Sequence, residues 1–319
     1  MIYTVTFNPA IDYVVRLGSP LQVAAINRAT GEDCVLGGKG INVSGVLAQL
    51  GVESVALGFI AGETGAWLER GLAAQGLHTD FIHLQEGMTR INVKIKAGQE
   101  TELNGAGPNI PEAAMQALEA KLDALQKDDV LILAGSIPAC LPQTTYERLL
   151  AQLQGRGVRA VVDATQNLLL KVLPYEPFLV KPNNHELAEI VGRELTNDDE
   201  IVTAAASLQA QGAHNVLVSM AGDGALLLEN LPLLEQLGFS CEDFGGGAVL
   251  RFDPETGAVL DRVELPCPNV TCACFGGPEM EDLFITIPAT PAPIITKEMI
   301  KHTFLFPRKS MAFFSFLVP

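Results

Sequence analysis

The sequence predicts an α/β fold on a mainly parallel sheet, followed by a segment of different, β-rich character. Three observations carry this. Short apolar runs alternate with helical stretches through the first 228 residues, Gly-containing turns follow several of those runs, and the composition changes near position 229. Residues 230–319 hold 10 of the 14 Phe, 10 of the 19 Pro and 4 of the 6 Cys, whereas all four Tyr and the single Trp precede them. No repeat of fixed period is evident.

The elements follow in chain order. Met1 to Phe7 reads as a first strand. Ile41 to Leu50 has apolar residues at 41, 43, 46, 47 and 50, the spacing of one helix face. Val55 to Ile60 is a short apolar strand, and Thr64 to Gln75 a helix closing near Gly76. Arg90 to Lys96 alternates Ile91, Val93 and Ile95 with polar residues, the period of a half-exposed strand. It breaks the strand–helix rhythm and predicts a small antiparallel flap. Pro111 opens a helix to Leu125. Residues 129–134, 160–163, 178–180 and 215–220 are short apolar runs, separated by helical stretches at 143–153, 185–192 and 200–211. This order predicts a sheet covered on both faces, with ligands gathering at the carboxyl ends of its strands.

Composition narrows the function. With 48% apolar and 18% charged residues, the chain is not of the disordered class. It has no run of eighteen apolar residues, so no membrane span is expected. The first residues lack a basic region followed by an apolar core, so no secretory signal is expected. A net charge of -16 opposes nucleic acid and anionic lipid. A small anionic substrate is still acceptable where cations and backbone N–H groups gather locally. Six Cys in 319 residues are too sparse for a disulfide scaffold, and a cytoplasmic location is expected.

The residues with chemistry lie where strands end. Gly37-Gly38-Lys39-Gly40-Ile41-Asn42 leads into a helix. Glycines let the backbone approach a ligand, the helix start supplies unpaired N–H groups, and Lys39 adds a charge suited to phosphate. A plain tight turn is the alternative. Asp12 accepts sugar hydroxyls or serves a turn. Arg90, on the flap, grips a phosphate or is an ordinary solvated strand residue. Ser136, in Gly135-Ser136-Ile137-Pro138, faces a ligand or lies in a strand-to-helix turn. Asn183 and Glu186 are three apart: they serve a Mg²⁺ water shell near a nucleotide, a capping box, or both. Ser219 to Leu226, with Gly222 and Gly224, reads as a hairpin or a nucleotide-facing turn.

In order, the segments TVTFNPAID, GGKGIN, TRINVKI, LAGSIP, VKPNNHEL and VSMAGDGAL resemble the PfkB (ribokinase-like) carbohydrate kinases over residues 1–228. The resemblance implies a ribokinase-like α/β sandwich with a small β lid, which often also forms a homodimer contact. It implies transfer of the ATP γ-phosphoryl group, with Mg²⁺, to a sugar phosphate such as fructose 1-phosphate or tagatose 6-phosphate. Asp12, Gly38, Lys39 and Asn42 would contact the sugar, Arg90 with Lys39 would hold its phosphate, and Ser136 would line the pocket. Lys181, Asn183 and Glu186 would serve the nucleotide phosphates and, indirectly, Mg²⁺. Ser219, Gly222 and Gly224 would lie beside the nucleotide.

The family then carries a Gly-Ala-Gly-Asp segment opening a long helix, whose Asp is the general base and whose N–H groups receive the moving phosphoryl. Residues 229–319 contain no match to it. Ala221-Gly222-Asp223 sits upstream in the hairpin, Phe244-Gly245-Gly246-Gly247 has no Asp after its glycines, and Gly276-Gly277-Pro278 has different spacing. The catalytic Asp is therefore unassigned. The expected division is an incomplete kinase domain at 1–229 and an atypical tail at 230–319. Three outcomes are open: an active kinase with a base supplied by the tail (Asp282 or Glu281), a binding protein without turnover, and a non-functional chimera.

Within the tail, residues 245–286 resemble a segment of the SMP-30/gluconolactonase β-propeller family. Strands are expected at 248–252, 259–265 and 283–287, with a turn at 253–257. One blade does not bury its own faces, so no lactonase activity or metal site is expected. Cys267, Cys272 and Cys274 are close in sequence but lack a fourth ligand at suitable spacing, and are read as strand thiols.

Overall fold

The computed structural model describes residues 1–221 and 224–228, together with the backbone of four strands beyond them. The chain forms two compact units, one of residues 1–45 and 53–158, the other of residues 46–52 and 159–319.

The elements from residue 1 to 158 run β1 (Ile2–Thr6), β2 (Ala10–Leu17), β3 (Ala29–Gly37), α1 (Lys39–Gln49, of which residues 39–45 belong to the first unit), β4 (Ser54–Ala61), α2 (Gly62–Ala74), β5 (His78–Thr79), β6 (Ile82–Leu84), β7 (Arg90–Ala97), β8 (Gln99–Leu103), α3 (Glu112–Leu122), β9 (Val130–Ala134) and α4 (Thr145–Leu153). Strands β5, β4, β1 and β9 lie side by side and pair in parallel, with β6 also parallel to β4. Nearly every residue of β1 and β4 is buried, which fits a sheet covered on both faces. Thr6 is in register with Gly58, where φ is +151° and a Cβ would stand 2.1 Å from the Thr6 carbonyl oxygen. Only glycine fits there.

Strands β3, β2, β7 and β8 form a separate four-stranded lid sheet. The flap expected from residues 90–96 is therefore larger than the sequence indicated and not purely antiparallel. Its central pair, β2 and β7, is parallel, flanked by antiparallel pairs with β3 and β8. Asp12 lies within β2, so its reading as a turn residue is overturned. The base of the lid is rooted in the core: Ile11 of β2 packs with Ile41 of α1, Ala56 and Ile60 of β4 and Leu68 and Leu72 of α2, with Leu36 and Ile91 against the same cluster. Phe7 stacks on Phe59 at 5.9 Å and meets Tyr146 at 5.7 Å between ring centroids.

The second unit contains β10 (Arg159–Asp163), α5 (Gln166–Val172) running into a 3₁₀ turn (Leu173–Tyr175), β11 (Leu179–Val180), α6 (Asn184–Val191), α7 (Asp198–Ala210), β12 (Asn215–Ser219) and β13 (Ala225–Leu228). Strands β10, β11 and β12 are parallel, and β13 returns antiparallel to β12, which is the expected hairpin. Its core includes Val162, Leu169, Val172, Leu179, Val180, Leu187, Ala205, Leu208, Val216 and Val218, each fully or almost fully buried.

In the tail, β14 (Ala248–Phe252) pairs antiparallel with β15 (Val259–Glu264), and β16 (Cys272–Gly276) with β17 (Asp282–Thr286). The strand at 272–276 carries Cys272 and Cys274, two of the three cysteines read as strand thiols. The turn at 253–257, Cys267, and the Gly-rich stretch at 244–247 lie outside the described residues.

Candidate functional site

The Gly37–Asn42 segment wraps the carboxyl end of β1. Gly38 has φ +142°, and a Cβ there would stand 2.5 Å from Thr6 Cγ2. At Gly40 a Cβ would stand 2.7 Å from Thr6 Oγ1 and 2.8 Å from the Val5 carbonyl oxygen. These glycines are the price of seating the first turn of α1 directly on β1. Thr6 completes the seat: its hydroxyl accepts from the Ile41 N–H at 3.1 Å, and the first helical bond runs from Asn42 N to Gly38 O at 2.8 Å. Asn42 is exposed, with its Oδ1 2.9 Å from where a Gly37 Cβ would be.

Lys39 is exposed at the head of α1. Its stem lies over Gly135, where φ is +102° and a Cβ would stand 3.7–3.8 Å from three of its carbons. Ser136 follows and is exposed. The Gly135 carbonyl accepts from Tyr146 Oη at 2.9 Å, which fixes this loop on α4. Neither Thr6 nor Tyr146 was singled out by sequence; a threonine inside an apolar strand carries no signal of its own.

Strand register brings Arg90 and the glycine turn together. Ala10 of β2 is paired with Gly37 on one side and with Arg90 on the other. The two therefore lie about 10 Å apart across three strands. Two residues on, Asp12 pairs with Asn92. Asn92 Nδ2 donates to Asp12 Oδ1 at 2.8 Å, and Lys94 Nζ lies 3.4 Å from Asp12 Oδ2.

Two of the lid cations, Lys94 and Arg90, differ. Burial opposes the Lys94 ammonium, but the Asp12 and Glu102 carboxylates outweigh it and raise its pKa. For Arg90 burial dominates, and with only partial relief from Asp12 its pKa is lowered. Its Nη1 reaches the Gly105 carbonyl at 3.4 Å, while its Nε is buried without a hydrogen-bond partner. A buried guanidinium N–H left unsatisfied is costly, and an incoming oxyanion relieves it. Asn8 Oδ1, at the end of β1, is also buried and unpartnered. Thus Asp12, Gly38, Lys39, Asn42, Arg90 and Ser136 all belong to the first unit, at the root of its lid or beside it.

The remaining candidates belong to the second unit. Lys181 is buried, with Nζ 3.5 Å from Asp163 Oδ1. Asn183 caps α6, accepting from Glu186 N at 2.8 Å, while Glu186 Oε2 accepts from Asn183 N at 2.9 Å. This is the capping box that the spacing allowed. Asn183 forms a parallel bridge with Ser219, and Ser219 N donates to the Pro182 carbonyl at 3.1 Å. The turn after Ser219 closes with Met220 N donating to Gly224 O at 2.8 Å. Gly222 lies outside the described residues. Lys181, Asn183, Glu186, Ser219 and Gly224 thus gather at strand ends within this unit. Asp163, the ion partner of Lys181, was not singled out by sequence.

Residues 5–239 match the family model described as pfkB family carbohydrate kinase. The chain belongs to the pfkB family carbohydrate kinases. A 1-phosphofructokinase of Bacillus subtilis (strain 168) is 45% identical over 230 residues, covering 72% of this chain and 75% of that protein. A D-tagatose-1-phosphate kinase of Bacillus licheniformis is 36% identical over 230 residues, with the same coverage. The crystal structure of phosphofructokinase-2 from Escherichia coli in complex with fructose-6-phosphate is similar with a TM-score of 0.67 and 28% identity, over 72% of this chain and 76% of that one. This pfkB member is a 1-phosphofructokinase-like phosphotransferase, a sugar-phosphate kinase in kind. Residues 240–288 match the SMP-30/gluconolactonase/LRE-like region. Among the described residues no helix is long and apolar enough to cross a membrane, and no group of three or more His, Cys, Asp or Glu is placed to hold a metal ion.

Proposed function

We propose that the chain binds fructose 1-phosphate in the cradle of Asp12, Lys39 and Arg90 and takes part in its phosphorylation by ATP, giving fructose 1,6-bisphosphate and ADP. The observation that carries this is the buried, unpartnered Nε of Arg90 beside the glycine turn. In this reading Arg90 and Lys39 hold the existing phosphate, with the N–H groups at the start of α1. Asp12, held in place by Asn92 and Lys94, accepts sugar hydroxyls, with Gly38, Asn42 and Ser136 around the sugar.

Lys181, Asn183, Glu186, Ser219, Gly222 and Gly224 serve the nucleotide. Mg²⁺ would neutralise charge on the transferring phosphoryl. Glu186 has one oxygen committed to the cap, and the described residues offer no closed cage. This donor set suits a Mg²⁺ carried mainly by phosphates and water, with Asn183 and Glu186 acting indirectly. Pairing with a second copy through the lid, and a cytoplasmic location, belong to the same reading.

A second reading, binding without turnover, is favoured by the absence of a Gly-Ala-Gly-Asp segment in residues 229–319. Loss of a positioned general base commonly slows a reaction by about 10²–10⁴-fold. A coupled ADP-release assay with fructose 1-phosphate and Mg·ATP separates the two. Turnover supports the kinase; binding seen by calorimetry without turnover supports the second reading; neither binding nor turnover overturns both. Tagatose 6-phosphate and tagatose 1-phosphate in the same assay define the sugar.

A further inference from the structure

Resting on the pocket reading above, we propose that Asn92 is a positioning residue for sugar recognition, acting through Asp12 and through the loop that follows β8. Asn92 is buried, and both ends of its amide are engaged. Nδ2 donates to Asp12 Oδ1 at 2.8 Å, and Oδ1 accepts from Gly105 N at 3.1 Å. These partners fix which way the amide points: reversed, it would set oxygen against carboxylate and NH₂ against N–H.

The loop held in this way carries three further contacts. The Gly105 carbonyl accepts from Arg90 Nη1 at 3.4 Å. The Ala106 carbonyl accepts from Asn8 Nδ2 at 2.9 Å. Gly107, at φ +85°, lies so close to Asn8 that a Cβ would stand 2.2 Å from its Oδ1. One buried amide therefore joins the carboxylate proposed to read sugar hydroxyls, the arginine proposed to hold phosphate, and the end of β1. Lys94 holds the second oxygen of Asp12 and is itself 3.3 Å from Glu102 of β8. With one donor on each oxygen, Asp12 keeps lone pairs for sugar hydroxyls, in an orientation set from β7.

The test is Asn92→Asp in the full chain, with fructose 1-phosphate affinity measured by calorimetry against wild type at pH 8 and pH 5.5. The new carboxylate still accepts from Gly105 N, but it faces Asp12 Oδ1 with no proton between them unless the pair takes one up. Lys94, Arg90 and Glu102 are the other charged groups around the pair, and all are unchanged. Comparison with wild type at each pH cancels titration of the ligand phosphate. The expected result is at least about tenfold weaker binding at pH 8, narrowing to within about threefold at pH 5.5.

A loss that is the same at both pH values, or no loss, overturns the positioning role while leaving the pocket reading standing. Absence of wild-type binding overturns the pocket reading and this role with it. If Asn92→Asp does not fold, as read by its thermal melt, Asn92→Ser replaces it. That shorter side chain does not span both partners, so about a tenfold loss of affinity is expected, and binding within about threefold of wild type overturns the proposal.

Discussion

The side-chain hydroxyl of Thr6, at the end of β1, accepts a hydrogen bond from the backbone N–H of Ile41 at 3.1 Å, tying the sheet to the first turn of α1. Thr6 is buried, so water does not replace it. Thr6→Val keeps the shape and removes the acceptor. The expected cost is about 1–3 kcal/mol in chemical denaturation, with weaker fructose 1-phosphate binding because the glycine turn loses its anchor. Unchanged stability and affinity would show that the bond contributes nothing.

Gly58→Ala tests the closest approach in the first sheet. Its Cβ would stand 2.1 Å from the Thr6 carbonyl oxygen, and the backbone sits at φ +151°. Both strands are held by register, so neither moves away alone. A loss of about 2–3 kcal/mol or more is expected, seen as a lower denaturation midpoint or as insoluble expression.

Arg90→Met separates binding from stability. Burial lowers the Arg90 pKa, so its charge is disfavoured where it sits, and its Nε has no partner. Removing the charge is expected to leave the melting temperature unchanged or raised, while fructose 1-phosphate affinity falls by about 100-fold, the scale of a lost charge-assisted contact. A variant that melts lower and binds normally would place Arg90 among the structural residues instead.

Asp129 gives a pH prediction. Burial alone would raise its pKa, but the hydrogen bond from Gln126 N and the amino group of Met1 at 2.7 Å outweigh burial and lower it below 3.8. A carboxyl whose folded pKa is depressed stabilises the fold above its unfolded value and loses that contribution as pH falls through the folded value. Stability of the wild type is therefore expected to drop below about pH 4, and Asp129→Asn to flatten that acid limb. Melting temperatures between pH 3 and pH 6 measure both.

Much of the architecture was legible because local signals agreed with it. The glycine run before an apolar helical face announced the turn at Gly37–Asn42, and Asn183 three residues before Glu186 announced the cap on α6. The alternation of Ile91, Val93 and Ile95 marked β7. The lid as a whole was not legible. Six of the nine residues of β3 are exposed and all five of β8, leaving no apolar period to read. Strands β5 and β6, of two and three residues, are too short for any pattern, and at the start of α5 the side chain of Thr165 makes no capping hydrogen bond. Within the site, Lys39 and Arg90 stood out by chemistry. Asn92 and Thr6 did not, because their importance lies in partners 80 and 35 residues away along the chain.

The parallel pairing of β2 with β7 also constrains how the chain is made. Ile11 and Val14 of β2 are buried in the finished protein, yet the strand that covers one side of β2 begins only at Arg90. A growing polypeptide therefore leaves the ribosome with one edge of that hairpin bare until roughly 80 further residues have been synthesised. Non-local pairing of this kind is slow and invites association with other chains in the interval. Translation halted before Arg90 would release a sticky fragment, whereas a halt after Leu103 would release one with every lid strand in place.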